Sequence, residues 1–260
     1  MSGAGPSQSY FSQVFALLRL SVVQLVRPPS APRRAEAARR DLKRALLLMA
    51  IGAAAIVVLM VTFDAIEIGM MPPRGTPGLW PVRILTDFGK DAYVLWLLAA
   101  ALVAIGLVVP LRRGGSRTRL SHFGTHVQYL FFAVLVPVLT GEVIKWVVGR
   151  GRPFVGGKAN AFNFAPFNGT EAYFSFPSSH AVTSFALAFA VAAIWPKMRI
   201  AMAVYALSIA ASRLVLLAHH PSDVVAGGLL GVIGAMAVRY WFAARRLGFA
   251  IQDHGEIAPR

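Results

Sequence analysis

The chain has 260 residues, of which 57% are hydrophobic and only 14% are charged. A soluble domain carries about a quarter charged residues, so this composition excludes an ordinary soluble protein and favours an integral membrane protein. The formal net charge of +15 would suggest nucleic acid in a soluble protein, but here the basic residues are sorted between loops, and no nucleic acid partner is expected. The chain has no cysteine, which excludes disulfides and thiolate metal sites.

The first 43 residues differ in character from the rest. Residues 10–26 are apolar but include Arg19 and Gln24, and a basic stretch follows them. A signal peptide needs a positive leading region and a small-residue cleavage site, and because neither is present we expect no cleavage. We interpret residues 1–43 as a cytoplasmic segment with an interfacial helix on the inner leaflet, and a partly disordered tail is the alternative.

Apolar segments of spanning length follow residue 43. A helix of roughly 17 to 25 apolar residues crosses a hydrocarbon core of about 30 Å. The sequence therefore predicts an all-α integral membrane domain over residues 44–243, followed by a cytoplasmic tail at 244–260. The six predicted transmembrane helices cover residues 44–63, 93–111, 125–145, 179–195, 199–217 and 222–243.

Lysine and arginine are concentrated on one side of this predicted bundle. By the positive-inside rule that side is cytoplasmic, and it holds both termini. The loop 146–178 and the junction 218–221 then face outward. Arg150, Arg152 and Lys158 break the rule on the outer side, as a functional cluster would. The residues that set the orientation are Arg33, Arg34, Arg39, Arg40, Lys43, Arg44, Arg112, Arg113, Arg117, Arg119, Lys197, Arg199, Arg245 and Arg246.

Three cations lie at the predicted outer ends of the spans. A phosphate monoester carries nearly two negative charges, and one guanidinium group can donate to two of its oxygens at once. Lys145, Arg152 and Arg213 meet this need. For Lys145 the alternative is a side chain that extends to the interface and pairs with Glu142.

The segment Pro177–His180 has the pattern of a helix start. Ser178 and Ser179 are good capping residues, and a long apolar helix follows. The free N–H groups of such an end bind anions. His180 at this position is a candidate acid for a leaving-group oxygen, because its ordinary pKa is near 6.5. The alternative for Ser178 is a cap with no further role.

His219 and Asp223 are four residues apart and share a face of a helical turn. A carboxylate that accepts from one ring nitrogen leaves the other nitrogen free to attack, which makes His219 a candidate nucleophile and Asp223 its orienting group. His220 competes for this role, but it is three residues from Asp223 and immediately precedes Pro221.

In this order, the three segments resemble the signature motifs of the type 2 phosphatidic acid phosphatase superfamily, which includes bacterial lipid phosphatases and vanadium haloperoxidases. The resemblance implies the helical core of that superfamily and hydrolysis of a lipid phosphate or pyrophosphate through a phosphohistidine, with no metal or other cofactor. It implies that His219 is the nucleophile, Asp223 its orienter and His180 the acid. It also implies that the phosphoryl oxygens are held by Lys145, Arg152, Ser178, Ser179 and Arg213. The segments that match the motifs are Lys145–Pro153, Pro177–His180 and Ser212–Asp223.

One position departs from the family pattern. The usual second motif is Pro-Ser-Gly-His, and Ser179 stands where glycine is expected. Serine at a positive φ would be strained, but a helix N-terminus does not require one. We therefore expect the backbone N–H of residue 179 to remain available to the phosphoryl group.

Other readings of the sequence remain open. A haloperoxidase would bind vanadate at the same site, but those enzymes are soluble, and the six predicted spans argue against one here. A lipid-phosphate phosphotransferase, or a protein that binds or transports a lipid phosphate without cleaving it, is the alternative to a phosphatase. The sequence does not identify the lipid, and no protein partner can be inferred.

Two further groups could take part in binding. His122 and His126 have the spacing of two metal ligands, but no third ligand lies nearby in the sequence, and interfacial histidines are the simpler interpretation. Asp64 and Glu67, at the outer end of the first span, could pair with active-site arginines or contact a headgroup. A solvated helix end is the alternative for both.

Overall fold

The structure is a computed structural model that describes residues 9–153, 155–157 and 159–260. Lys158, one of the exceptions to the charge rule, and residues 1–8 of the N-terminal segment lie outside the described residues. Within the described ranges the secondary structure consists of α1 (Tyr10–Val26), α2 (Arg34–Thr62), α3 (Asp64–Met70), α4 (Trp80–Asp87), α5 (Asp91–Val108), α6 (Gly114–Val148), α7 (Ser179–Ile194), α8 (Arg199–Val215), α9 (Pro221–Ala244), β1 (Phe249–Ile251) and β2 (Ile257–Pro259), with short 3-10 turns between them.

The predicted all-α membrane fold is confirmed. Each of the six predicted spans falls on a helix, namely α2, α5, α6, α7, α8 and α9 in order. In the described residues, five helical stretches are long and apolar enough to cross a membrane. The remaining predicted span, α7, has 16 residues and is about 24 Å long, so it is the short member of the set.

Helix α9 occupies the centre of the bundle. Of its most apolar stretch 61% is buried, against 6% for α2 and for the stretch that contains α5. The core joins α9 to α6 and α7 through side chains such as Tyr129, Val134, Val182, Ala186 and Phe242. Apolar residues on α2 and α5 remain exposed because lipid takes the place of a protein neighbour.

Small residues let α9 approach the start of α7. A Cβ at Gly227 would lie 2.5 Å from the backbone oxygen of Ser178, and a Cβ at Gly231 would overlap the backbone of Val182. Such close contact between helix backbones is typical of membrane bundles. It places the first turn of α7 directly against the first turns of α9, where two of the three sequence motifs meet.

Helix α1 and the residues after α9 pack on the bundle. Trp241 Nε1 donates to the Leu25 carbonyl oxygen over 3.1 Å, which ties α1 to α9. The apolar side chains Phe11 and Phe15 stay exposed, and the location of α1 at the membrane surface remains a prediction. The tail 244–260, for which the sequence predicted no element, forms an antiparallel hairpin.

Candidate active site

The structure brings the three sequence motifs together at one end of the bundle. Lys145, near the end of α6, donates through Nζ to Ser179 Oγ at the start of α7. The backbone N–H of Ser178 donates to the carbonyl oxygen of Asp223 over 3.0 Å, which joins α7 to α9. His219 lies in the turn between α8 and α9 and contacts Ser175 just before α7. Segments far apart in the sequence therefore form one site.

His219 is buried and held by a backbone carbonyl. Its Nδ1 lies 2.8 Å from the carbonyl oxygen of Ser175. Because a carbonyl oxygen only accepts, Nδ1 carries the proton and Nε2 keeps its lone pair. Burial, together with the charges of Arg213 and Arg152, lowers the pKa of His219 well below its usual range. The imidazole is therefore neutral at physiological pH, as a nucleophile requires.

Asp223 lies farther from His219 than the sequence predicted. The distance from its Oδ2 to His219 Nδ1 is 4.0 Å, beyond a hydrogen bond, and the Ser175 carbonyl occupies the expected place of the carboxylate. The same Oδ2 accepts from Ser175 Oγ over 2.6 Å and from the backbone N–H of His220 over 2.9 Å. Asp223 thus positions Ser175, and the carbonyl of Ser175 positions His219. His220, the competing candidate, is the N-cap residue of α9 and is fully buried.

The sequence placed Arg150 in a functional cluster but did not predict its role. It is completely buried, and Nη1 donates to Asp223 Oδ1 over 2.6 Å while Nη2 donates to Asp64 Oδ2 over 2.8 Å. Its Nη1 also donates to Ser222 Oγ, and its Nε and Nη2 donate to the Ala161 carbonyl oxygen. The signal in the sequence was its place on the wrong side of the positive-inside rule. Of the two acidic residues proposed as partners for arginines, Asp64 makes such a pair.

Lys145 is directed into the protein. Its side chain is largely buried, and Nζ lies 2.6 Å from Glu142 Oε1 as well as in contact with Ser179 Oγ. The expected pairing with Glu142 is present, but the contact with Ser179 shows that the ammonium reaches the start of α7. The serine that replaces the family glycine therefore has a defined partner. Ser179 is the first residue of α7, a position that does not require a positive φ, so serine is accommodated there without backbone strain.

Within the residues that the structure describes, three of the predicted site residues carry buried polar atoms without a hydrogen-bond partner. These atoms are Ser178 Oγ, His180 Nε2 and Arg213 Nε. Buried polar groups are nearly always hydrogen-bonded, so each such atom needs an explanation. A bound phosphoryl group would supply acceptor oxygens for the hydroxyl, the imidazole and the guanidinium alike.

A cavity of about 280 Å³ adjoins the turn that leads to His219. It is lined by Arg74, Arg83, Arg152 and Arg213, with Gly75, Leu79, Leu216 and Ala218, and is called the arginine cavity below. Arg152 Nε donates to the Glu171 carbonyl oxygen over 3.0 Å, and Arg213 Nη1 donates to Thr86 Oγ1 over 2.8 Å. Both side chains keep further donors for an anion.

The histidine pair predicted to be interfacial lies at the other end of α6. The ring centroids of His122 and His126 are 4.6 Å apart. Within the part of the chain that the structure describes, no three His, Cys, Asp or Glu residues are grouped as a metal site requires. The candidate site at the opposite end of α6 brings together two histidines and several cations.

Comparisons with known proteins identify the family of the chain. Residues 126–247 match the sequence model of the PAP2 superfamily, and this region includes all eight predicted site residues. The lipid A 1-phosphatase of Rhizobium johnstonii is 31% identical over 209 residues, which is 76% of this chain and 84% of that protein. The lipid A 1-phosphatase of Rhizobium etli is 31% identical over 193 residues, or 72% of this chain and 80% of that protein.

A third relative carries a different name. The bacitracin transport permease protein BcrC of Bacillus licheniformis is 29% identical over 170 residues, 63% of this chain and 79% of that protein. No solved structure matches the chain significantly. The family match and the coverage of the two phosphatases lead to one conclusion: this chain belongs to the PAP2 superfamily.

Proposed function

We propose that this chain, a membrane lipid phosphatase by its family and relatives, transfers the phosphoryl group of its substrate to Nε2 of His219. The observation that carries the proposal is the hydrogen bond between His219 Nδ1 and the Ser175 carbonyl, 2.8 Å long, which leaves Nε2 as the nucleophilic nitrogen. Arg152 and Arg213, which line the arginine cavity beside this turn, supply charge that a phosphate needs.

In the first step, Nε2 of His219 attacks phosphorus while the bond from phosphorus to the lipid oxygen breaks. His180, protonated before the attack, gives its proton to the departing oxygen. The negative charge of the substrate stabilises this imidazolium beside the cations of the site. Lys145, Arg152 and Arg213, with the first N–H groups of α7, hold the phosphoryl oxygens as charge develops on them.

In the second step, water attacks the phosphohistidine. His180, now neutral, takes a proton from that water, the bond between phosphorus and Nε2 breaks, and inorganic phosphate leaves. In this proposal His219 attacks, His180 moves a proton, and Asp223 acts through Ser175 to position the nucleophile. Since cations of the chain hold the phosphate, no metal ion is needed.

The distribution of charge supports one side of the membrane for the site. Lysine and arginine residues dominate the loops at the opposite end of the bundle, which supports cytoplasmic termini and an active site on the outer face of a bacterial inner membrane. Because two relatives are named lipid A 1-phosphatase, lipid A 1-phosphate is the first substrate to test.

The decisive experiment measures phosphate release by purified protein across a panel of lipid phosphates and diphosphates, with His219→Ala as the control. We expect release by the native protein, none by the variant, and retained lipid binding in the variant because the cations survive. Base-quenched native enzyme should carry a phosphohistidine at residue 219 in mass spectrometry. Turnover by His219→Ala would show that the nucleophile is misassigned.

A binding or transport role is the second candidate, favoured by the relative named as a transport permease. It predicts that lipid phosphate binds to the native protein without release of phosphate. A phosphotransferase predicts instead that the phosphoryl group appears on an added acceptor alcohol rather than as inorganic phosphate. The same assay, with products identified by mass spectrometry, separates these outcomes from hydrolysis.

A further inference from the structure

The arginine cavity holds more positive charge than the three sequence motifs supply. Arg152 and Arg213 belong to the motifs, but Arg74 and Arg83 do not. Both lie before residues 126–247, the region that matches the superfamily. The three motifs therefore do not account for these two arginines, and their place in the cavity needs a separate explanation.

Contacts of helix α4 with α8 fix the position of Arg83. Thr86 Oγ1 accepts from Arg213 Nη1 over 2.8 Å, and the carbonyl oxygen of Phe88 accepts from the Tyr205 hydroxyl over 2.8 Å. Arg83 lies three residues before Thr86, so the two share a face of α4. The helix thus presents Arg83 to the same cavity into which Arg213 projects.

The charge in the cavity is one-sided. Of the described residues that line it, none is acidic. Burial lowers the pKa of Arg152, and the charge of Arg74 acts in the same direction, while Glu171 opposes them. An anion in the cavity relieves this repulsion between guanidinium groups. Lys145, Arg152 and Arg213 already suffice for one phosphate, which carries close to two negative charges.

We infer that Arg74 and Arg83 form a second anion subsite, which binds a phosphoryl group bonded to the one that His219 attacks. The preferred substrate class is then a lipid diphosphate rather than a lipid monophosphate. This inference rests on the proposed function, because it assigns the neighbouring phosphate to the nucleophile.

The subsite fits the chemistry of diphosphate cleavage. His219 Nε2 bonds to the terminal phosphorus, and the bond from that phosphorus to the bridging oxygen breaks. The leaving group is the lipid monophosphate, which retains the bridging oxygen and the electron pair of the broken bond. Arg74 and Arg83 stabilise the negative charge that grows on this group, so they act most strongly in the transition state.

The test compares a monophosphate and a diphosphate with the same farnesyl chain. We expect Arg74→Gln and Arg83→Gln each to lower kcat/KM for the diphosphate about tenfold or more, as loss of a charged hydrogen bond does. For the monophosphate, kcat/KM should stay within about threefold of the native value. Activity on the monophosphate also shows that each variant is folded.

Lys90→Gln is the matched control, because it removes a cation near the same end of the bundle. Lys90 pairs with Asp87 and is not among the residues that line the cavity. It should leave the ratio of the two kcat/KM values unchanged. An equal loss on both substrates in the arginine variants, or no loss on either, would overturn the subsite.

Binding of inorganic anions separates this inference from the proposed function. If the native protein cleaves neither lipid, the phosphatase proposal fails, but the subsite still predicts that pyrophosphate binds more tightly than phosphate. Arg74→Gln and Arg83→Gln should then remove that difference. Equal affinity for the two anions in the native protein would contradict the subsite whatever the enzyme does.

Discussion

The stability of the site should depend on Arg150 more than on any of the eight predicted site residues. Its guanidinium is completely buried and pairs with Asp64 over 2.8 Å and with Asp223 over 2.6 Å. Arg150→Met keeps a long apolar side chain but leaves two buried carboxylates without their cation. Breaking a buried ion pair in this way costs about 3–5 kcal/mol. For a chain of this size that corresponds to a fall in Tm of roughly 6–20 °C.

Thermal unfolding of the detergent-solubilised protein, followed by tryptophan fluorescence, measures this loss. Arg117→Met is the matched control, since Arg117 is exposed on α6 and its substitution should change the free energy of unfolding by only about 0.5 kcal/mol. Asp64→Asn removes one of the two stranded charges. The double variant Arg150→Met/Asp64→Asn should therefore be less destabilised than the sum of the single variants, by about 1 kcal/mol or more. A Tm of Arg150→Met close to that of the native protein, or strict additivity, would refute this reasoning.

Three further predictions concern a proton, a helix contact and metals. Burial, reinforced by the charges of Asp64 and Asp223, raises the pKa of Glu67 from 4.5 to about 7. Between these two pH values the folded state keeps a proton that the unfolded chain loses. The free energy of unfolding should therefore fall by up to about 3 kcal/mol as pH rises from about 4.5 to 7. Thermal melting of Glu67→Gln should lack this dependence on pH. Gly227→Ala should abolish phosphate release, because the added methyl group pushes α9 away from Ser178. Gly106→Ala, whose methyl group meets no described residue within 4 Å, should leave release unchanged. Phosphate release should persist in excess EDTA, and a strict requirement for added magnesium would contradict the mechanism.

The sequence predicted the spanning helices and the meeting of the motifs because both depend on local patterns. Apolar length identifies a span, and residue types at fixed spacing identify a site. Arg150 shows the limit of this approach, since its partners lie 73 and 86 positions away in the chain. The partner of His219 could not be predicted either, because it is the backbone carbonyl of Ser175, a group that every residue possesses.

Short elements outside the spans were also beyond prediction. The strands β1 and β2 have three residues each, too few for an alternating pattern to be recognised. What stabilises the hairpin is tertiary packing: Phe249 is fully buried against Tyr129, with ring centroids 4.8 Å apart. Helix α4 was likewise not predicted, because it lies in the stretch 64–92 that the sequence indicated as a loop, although it brings Thr86 and Arg83 to the site.

The arrangement of charge around His219 gives the buried network a role in the proposed chemistry. Cations line the cavity on the substrate side, while Asp64 and Asp223 are held with Arg150 behind the nucleophile. Two carboxylates and one guanidinium leave a single net negative charge there. When Nε2 bonds to phosphorus the imidazole becomes positive, and this charge stabilises it at short range, where buried interactions are strong. Arg150 offsets the charge of the same acids, which would otherwise repel the incoming phosphate. Its pairing therefore balances substrate binding against stabilisation of the intermediate.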